Sequence, residues 1–228
     1  MSLNDVSQIV YLVAASMFIL GLGRLSSPRT ARSGNLLSAL AMLMAIVITL
    51  LDRQIVSYAW IVAGMVIGGA VGAVMARRVA LTAMPQMVAL LNGFGGGASA
   101  IVAAVELLTP TAAGAAPALT TSIPAVLGLL IGGVTFSGSL IAYGKLQGII
   151  SGRPVRYAGS EIVLGVGFLV ALALMVVLAA GWGGSALAPL IGLAVLALVL
   201  GVLLVIPIGG ADMPVVISLL NSYSGLAG

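Results

Sequence analysis

Eight long apolar stretches follow one another along this chain, at 6–24, 34–51, 55–76, 84–108, 123–143, 162–180, 186–206 and 212–228. Each is close to the roughly 20 residues that a helix needs to cross the hydrocarbon core of a bilayer. Charged residues make up 6% of the chain, whereas they reach roughly a quarter of an ordinary soluble domain. The sequence therefore predicts an all-α fold, a polytopic transmembrane bundle of about eight helices.

The basic residues fall almost entirely into every other gap between these stretches. Eight of the nine Lys and Arg residues lie after the first, third and fifth stretches, and only Arg53 breaks the pattern. Short basic loops stay on the cytoplasmic side. We therefore expect the N-terminus outside, residues 25–33, 77–83 and 144–161 in the cytoplasm, and 109–122 outside. This clustering also explains the net charge of +4, so we predict no nucleic-acid partner.

The chain contains neither cysteine nor histidine, which excludes disulfides, thiolate sites and imidazole ligands. It also lacks a nucleophile–base pair and a phosphate-binding loop, and we predict no catalytic, cofactor-binding or metal-binding residue in it. The run from Gly93 to Ala98 has the spacing of a dinucleotide fingerprint. That fingerprint binds pyrophosphate only where a strand turns into a helix, and here the run lies inside an apolar stretch. We interpret these glycines as packing residues.

No gap between the stretches is long enough to fold alone, so residues 1–228 are predicted to form one transmembrane domain. The eighth stretch stops at Gly228 without the aromatic or basic anchor that marks a membrane interface. We therefore expect a further helix beyond residue 228, followed by a soluble domain.

Polar side chains are concentrated in the fourth, fifth and eighth stretches, whereas the sixth and seventh have none. A rise of 1.5 Å per residue places Asn92 and Asn221 roughly 12–13 Å from the cytoplasmic edge, Ser139 roughly 8 Å and Thr135 roughly 14 Å from it, and Asp212 at the edge itself. We predict that the three polar helices face one another and that the other two are peripheral. The polar layer is either a set of interhelical hydrogen bonds or a water-lined pathway.

Three segments resemble the beta subunit of proton-translocating NAD(P) transhydrogenase: residues 83–92, residues 133–146, and the segment IGGADMPVVISLLNSYSG at 208–225. The resemblance covers essentially the whole chain. It implies an enzyme in which hydride passes between NAD(H) and NADP(H) in soluble domains while a proton crosses the membrane. This chain resembles only the membrane part, which in the family precedes one more helix and a cytoplasmic NADP(H)-binding domain.

The resemblance also implies roles for individual residues. Asn221 matches the asparagine of the family's proton pathway, Ser139 its serine, and Asp212 the acid at its cytoplasmic mouth; Thr135 belongs to the same polar layer. Many members carry histidine where this chain has Asn92. Because asparagine cannot ionise, we expect either a titratable residue from a membrane alpha subunit or a pathway of water and acids alone.

The expected setting is a complex with alpha subunits, a homodimer of that complex, and a bacterial cytoplasmic (inner) membrane. Topology alone allows an alternative, a secondary transporter with a small-solute site at the membrane midplane. Inverted repeats would favour the transporter, and the sequence analysis finds none that is convincing.

Overall fold

The computed structural model describes residues 3–51, 57–112, 118–156, 158–182 and 186–227. Its described residues form eight α-helices and no strand, which confirms the predicted all-α class. Seven of the helices are long and apolar enough to span a membrane, and the eighth has 15 residues. The helices are α1 Leu3–Leu25, α2 Ala31–Leu50, α3 Tyr58–Arg78, α4 Met84–Ala112, α5 Leu119–Leu146, α6 Ser160–Ala179, α7 Leu187–Val205 and α8 Met213–Ala227.

The helix limits differ from the predicted ones mainly between α4 and α5. The predicted outer loop 109–122 is shorter, because α4 continues to Ala112 and α5 already begins at Leu119. Thr109 donates its hydroxyl to the Val105 carbonyl, so the helix satisfies this polar side chain internally. Residues 113–117, the centre of the predicted loop, lie outside the described residues.

The chain divides into two compact units, residues 1–74 and 75–228. In the first unit α1 and α2 form an antiparallel pair. A Cβ built at Gly34 would lie 2.7 Å from the Gly21 carbonyl oxygen, so the pair depends on two glycines at its closest point. At the other end the hydroxyls of Tyr11 and Thr49 are hydrogen-bonded at 2.8 Å.

The glycines of α3, Gly64, Gly68 and Gly72, are spaced four residues apart, a pattern that allows a neighbouring helix to approach closely. A Cβ built at any of the three would meet no atom within 4 Å. Among the described residues, this face of α3 therefore makes no close helix contact.

In the second unit α5 is the central helix, with α4, α6, α7 and α8 packed around it. Its sequence explains this position, since small residues on every face let the neighbours approach. A Cβ built at Gly132 would lie 2.5 Å from the Gly96 carbonyl oxygen of α4, and one at Gly133 would lie 2.7 Å from the Ala197 Cβ of α7. Most of α5 is buried as a result.

The prediction that α6 and α7 are both peripheral is right for α6 and wrong for α7. The buried residues of α6 are Ala171 and Leu178. The face of α7 that packs on α5 is buried through Leu190, Leu193, Ala197, Leu200, Gly201 and Val205. Polar side chains reveal which helices share hydrogen bonds, but an entirely apolar helix can be buried equally well by small-residue packing.

Candidate functional site

The helices α4 and α8 begin in the same way at the same end of the second unit. Each follows a short 3-10 turn, Leu81–Ala83 before α4 and Gly210–Asp212 before α8. A proline then occupies the first helical turn, where its missing N–H has no intrahelical partner to lose. Asn92 and Asn221 each lie eight residues after the first methionine of their helix, about 12 Å along it. The two amides therefore stand at the same depth.

Asn92 is held against α5. Its Nδ2 donates a hydrogen bond to Ser139 Oγ at 2.9 Å, and the side chains are 8% and 0% exposed. The neighbouring Gly93 allows the two helices to come this close, because it has no side chain. A Cβ at this position would lie only 3.2 Å from the Ser139 Cβ. A buried amide is stable only when its polar atoms are hydrogen-bonded. The pairing of Asn92 with Ser139 meets this requirement for one N–H and leaves a second N–H and the carbonyl oxygen for other partners.

Asn92 and Asn221 line one cavity between α4 and α8, which we call the α4–α8 groove. Its volume is about 440 Å³, and it is lined by Val88, Leu91, Asn92, Gly95, Pro214, Ile217, Ser218, Asn221 and Ser224. Asn221 is exposed and is one of the residues that line this groove. None of the lining side chains can ionise, but amides and hydroxyls both donate and accept hydrogen bonds. The groove is therefore suited to water in either orientation.

Thr135 is buried at the interface of α4 and α5 but does not line the groove. A Cβ built at Gly96 would lie 2.8 Å from the Thr135 methyl carbon, so this side chain fills the notch that the glycine leaves. Its hydroxyl has no hydrogen-bond partner among the described residues. Thr135 instead lines a separate apolar cavity of about 490 Å³ between α5, α6, α7 and α8.

Asp212 is the last residue of the 3-10 turn before α8 and is exposed. An aspartate at this position could cap the N-terminus of α8. No hydrogen bond to its carboxylate is present within the described ranges, so this cap is not formed. The turn closes through the backbone, where the Asp212 N–H donates to the Gly209 carbonyl at 3.1 Å.

Both asparagines lie in a short repeat of the chain that was not predicted as part of the site. The segment MPQMVALLN at 84–92 recurs as MPVVISLLN at 213–221. It supplies the Met-Pro start, the paired leucines and the final asparagine of each helix. A search for short repeats at helix starts would have found this signal.

Two further polar side chains near the end of α5, Lys145 of α5 itself and Gln86 of α4, were not predicted to belong to the site. Lys145 is 4% exposed, and Gln86 donates to the Leu146 carbonyl at 3.3 Å. Lys145 looked like one more member of a basic loop. Only the fold shows that its ammonium group is directed inward.

Comparison with known proteins decides the family. The family model described as NAD(P) transhydrogenase beta subunit matches residues 7–228. The chain belongs to this family. Two Rhodospirillum rubrum sequences named NAD(P) transhydrogenase subunit beta are each 45% identical to it, over 98% of this chain and 48% of the relative. The chain thus spans about half the length of these relatives.

Family membership and the apolar helices together identify a multi-pass membrane protein. The glycine run of α4 does not fit a dinucleotide. The fingerprint-like run Gly93–Ala98 lies in the middle of α4, where Gly93, Gly96 and Gly97 pack against α5. Its backbone N–H groups belong to the helix ladder and are not available to a phosphate. Among the described residues, no group of three or more carboxylates is placed to hold a metal ion.

Proposed function

We propose that this chain is the membrane part of a proton-translocating NAD(P) transhydrogenase, and that protons cross it along the α4–α8 groove. Proton passage would be coupled to hydride transfer between NAD(H) and NADP(H) in soluble domains outside residues 1–228. The observation that carries the proposal is the buried Asn92–Ser139 hydrogen bond at the wall of a groove that also contains Asn221. This arrangement unites residues from all three polar helices at one depth.

The chemistry of the groove defines what a partner must add. Coupled proton transport needs a group whose proton affinity changes during turnover, and the amides of Asn92 and Asn221 do not ionise. They can orient a water molecule or a hydronium ion. We therefore assign the titratable residue to a membrane alpha subunit that lies against the groove. The exposure of Asn221, which lines the groove, supports such a neighbour.

The proposed assembly contains one or more alpha subunits and is a homodimer of the whole complex in a bacterial cytoplasmic membrane. In the proposed orientation, which the positions of the basic residues support, the start of α4, the end of α5 and the start of α8 lie on the cytoplasmic side. Asp212 then stands at the cytoplasmic mouth of the pathway, about 13 Å below Asn221.

The test is substitution of the two asparagines in the reconstituted complex. Asn92→Ala removes the hydrogen bond to Ser139, and Asn221→Ala removes an amide that can hydrogen-bond water in the groove. A loss of about 1–3 kcal/mol in each variant corresponds to roughly a 5- to 150-fold loss of proton-coupled turnover. Hydride exchange between nucleotides already bound in the soluble domains should persist. Ser222→Ala is the matched control, because Ser222 lies on α8 outside the groove. Wild-type coupled turnover in both asparagine variants would refute the pathway.

A second experiment tests the origin of the titratable group. Every histidine in the membrane helices of the alpha subunits is replaced, and proton-coupled turnover is measured again. We expect coupling to be lost while hydride exchange continues. Coupling at wild-type rates would show that the group lies elsewhere, and Asp212 or an unassisted water chain would become the better explanation.

A further inference from the structure

Lys145 is the only buried basic residue among those the structure describes. The arginines of the same end of the second unit, Arg77, Arg78, Arg153 and Arg156, are all exposed, whereas Lys145 is 4% exposed. A lysine near a membrane interface normally extends its stem so that the ammonium group reaches water. The inward direction of Lys145 therefore needs an explanation in the contacts that it makes.

The Lys145 ammonium group donates to three backbone carbonyls and, among the described residues, to no side chain. Its Nζ lies 2.6 Å from the Ile206 oxygen, 2.7 Å from the Ile208 oxygen and 3.3 Å from the Arg153 oxygen. An ammonium group has three N–H donors, so each can be used. The first two acceptors follow the last turn of α7, where carbonyls lack intrahelical partners and the helix dipole is negative.

These bonds join two connections that are far apart in sequence. Residues 147–159 lead from α5 to α6, and residues 206–212 lead from α7 to α8. Two backbone bonds join the same segments, from the Val155 N–H to the Ile206 oxygen at 3.3 Å and from the Gly210 N–H to the Gly152 oxygen at 2.8 Å. We call this set of hydrogen bonds between the two connections the Lys145 junction. The Lys145 ammonium group supplies its strongest contacts, because charged donors form stronger hydrogen bonds.

The junction determines where α8 begins relative to α5. Asn92 is fixed to α5 through Ser139, and Lys145 lies six residues after Ser139 on the same helix. On the other side, residues 206–212 lead directly into α8, which carries Asn221 across the groove from Asn92. A change in the junction thus changes the separation of the two asparagines while the Asn92–Ser139 bond stays intact.

We propose that Lys145 is a positioning residue that fixes the 206–212 segment to the end of α5 and thereby sets the width of the α4–α8 groove. The functional consequence rests on the proposed role of that groove in proton passage. The ammonium group acts through its three hydrogen bonds, without carrying the translocated proton.

The structural half of the proposal is tested by hydrogen exchange in the purified complex. Lys145→Met keeps the length of the side chain and removes all three donors. We expect the Gly210 N–H, which donates to the Gly152 carbonyl, to exchange at least about tenfold faster in this variant. This factor corresponds to the loss of one charge-assisted hydrogen bond. Lys145→Arg, which retains charged donors, should keep the exchange slow. If Lys145→Met does not assemble, Lys145→Gln replaces it. Unchanged exchange would overturn the proposal whatever the function of the groove.

The functional half is tested by rescue. We expect Lys145→Met to lose proton-coupled turnover by at least about tenfold while hydride exchange between bound nucleotides continues. Residues 1–228 contain no cysteine, so Gly152→Cys and Gly210→Cys can be joined by a short bis-methanethiosulfonate linker in a complex that is cysteine-free everywhere else. A Cβ at Gly210 would lie 3.3 Å from the Gly152 Cα, which suits such a link.

Restored turnover in the linked Lys145→Met variant would support a positioning role. Loss of turnover that the linker does not restore, or wild-type turnover in unlinked Lys145→Met, would overturn it. A wild-type complex without any proton-coupled turnover would instead refute the proposed function, and the exchange experiment would still decide whether Lys145 holds the junction.

Discussion

Replacing Gly96 by alanine tests whether the close approach of α4 and α5 sets the geometry of the site. A Cβ at this position would lie 2.7 Å from the Thr135 Cβ, 2.8 Å from its methyl carbon and 2.9 Å from the Gly132 carbonyl oxygen. Contact between carbon atoms is relaxed only at about 3.5 Å. Because one of the three neighbours is a backbone oxygen and another is a Cβ, rotation of the Thr135 side chain cannot relieve the overlap.

The helices must separate instead, and the distance can be estimated. Raising the 2.7 Å contact to about 3.5 Å needs a separation of roughly 0.8 Å. Asn92 lies one helical turn before Gly96 and faces the same helix. An equal displacement there would lengthen its 2.9 Å bond to Ser139 to about 3.7 Å, beyond the range of a hydrogen bond. Overpacking of this kind destabilises by about 1–3 kcal/mol, and the lost bond adds about 1 kcal/mol.

The assay compares Gly96→Ala with Gly165→Ala in the purified complex. Gly165 also lies inside a transmembrane helix, but a Cβ there would meet no atom within 4 Å, so it controls for the intrinsic effect of alanine in a helix. We expect Gly96→Ala to unfold at a lower temperature in detergent and to lose proton-coupled turnover, whereas Gly165→Ala should do neither. Equal stability and equal turnover of the two variants would contradict the reasoning.

Two further predictions follow from the packing and from the charge pattern. Gly201→Ala should destabilise the complex by about 1–3 kcal/mol, because a Cβ there would overlap the Val134 carbonyl oxygen, whereas at Gly192 the nearest atom is 3.5 Å away. Thermal unfolding of both alanine variants compares them, and equal melting temperatures would show that α7 is not held tightly on α5. For the orientation, Ser151→Cys and Leu119→Cys should react with an impermeant maleimide from the cytoplasmic and outer sides respectively, since basic loops remain cytoplasmic. Labelling of both from one side would refute the topology, and labelling from exchanged sides would invert it.

The helices were predictable from the sequence because a bilayer imposes a nearly fixed length on each apolar run. The contact between Asn92 and Ser139 was also foreseeable, since both lie at one depth on helices with polar side chains. The environment of Thr135 was not. It shares a face of α5 with Ser139, but the glycine opposite it on α4 admits its methyl group and leaves the hydroxyl without a partner. Spacing along a helix fixes the face of a residue, whereas its rotamer depends on the opposing surface.

Burial of α7 and of Lys145 depends on contacts between segments that are distant in sequence, and neither has a local signal. Ala197 and Gly201 are ordinary members of an apolar run until they are set against Gly133 and Val134 of α5. Lys145 reads as a loop cation because charge clustering reports the side of the membrane. The clustering of charge contains no information about the carbonyl groups that accept the hydrogen bonds of Lys145.

The helix α5 serves as the common reference for both walls of the groove. The α4 wall is attached to it twice, by the bond from Gln86 to the Leu146 carbonyl and by the bond from Asn92 to Ser139. The segment before α8 is attached to it through the hydrogen bonds of Lys145. The helix α8 itself is attached through the buried side chains of Met213, Ile217 and Leu220, which belong to the same apolar core as α5. If Lys145 has the proposed positioning role, a change in residues 206–212 would reach Asn221 through α8, whereas the Asn92–Ser139 pair is held by α4 and α5 alone.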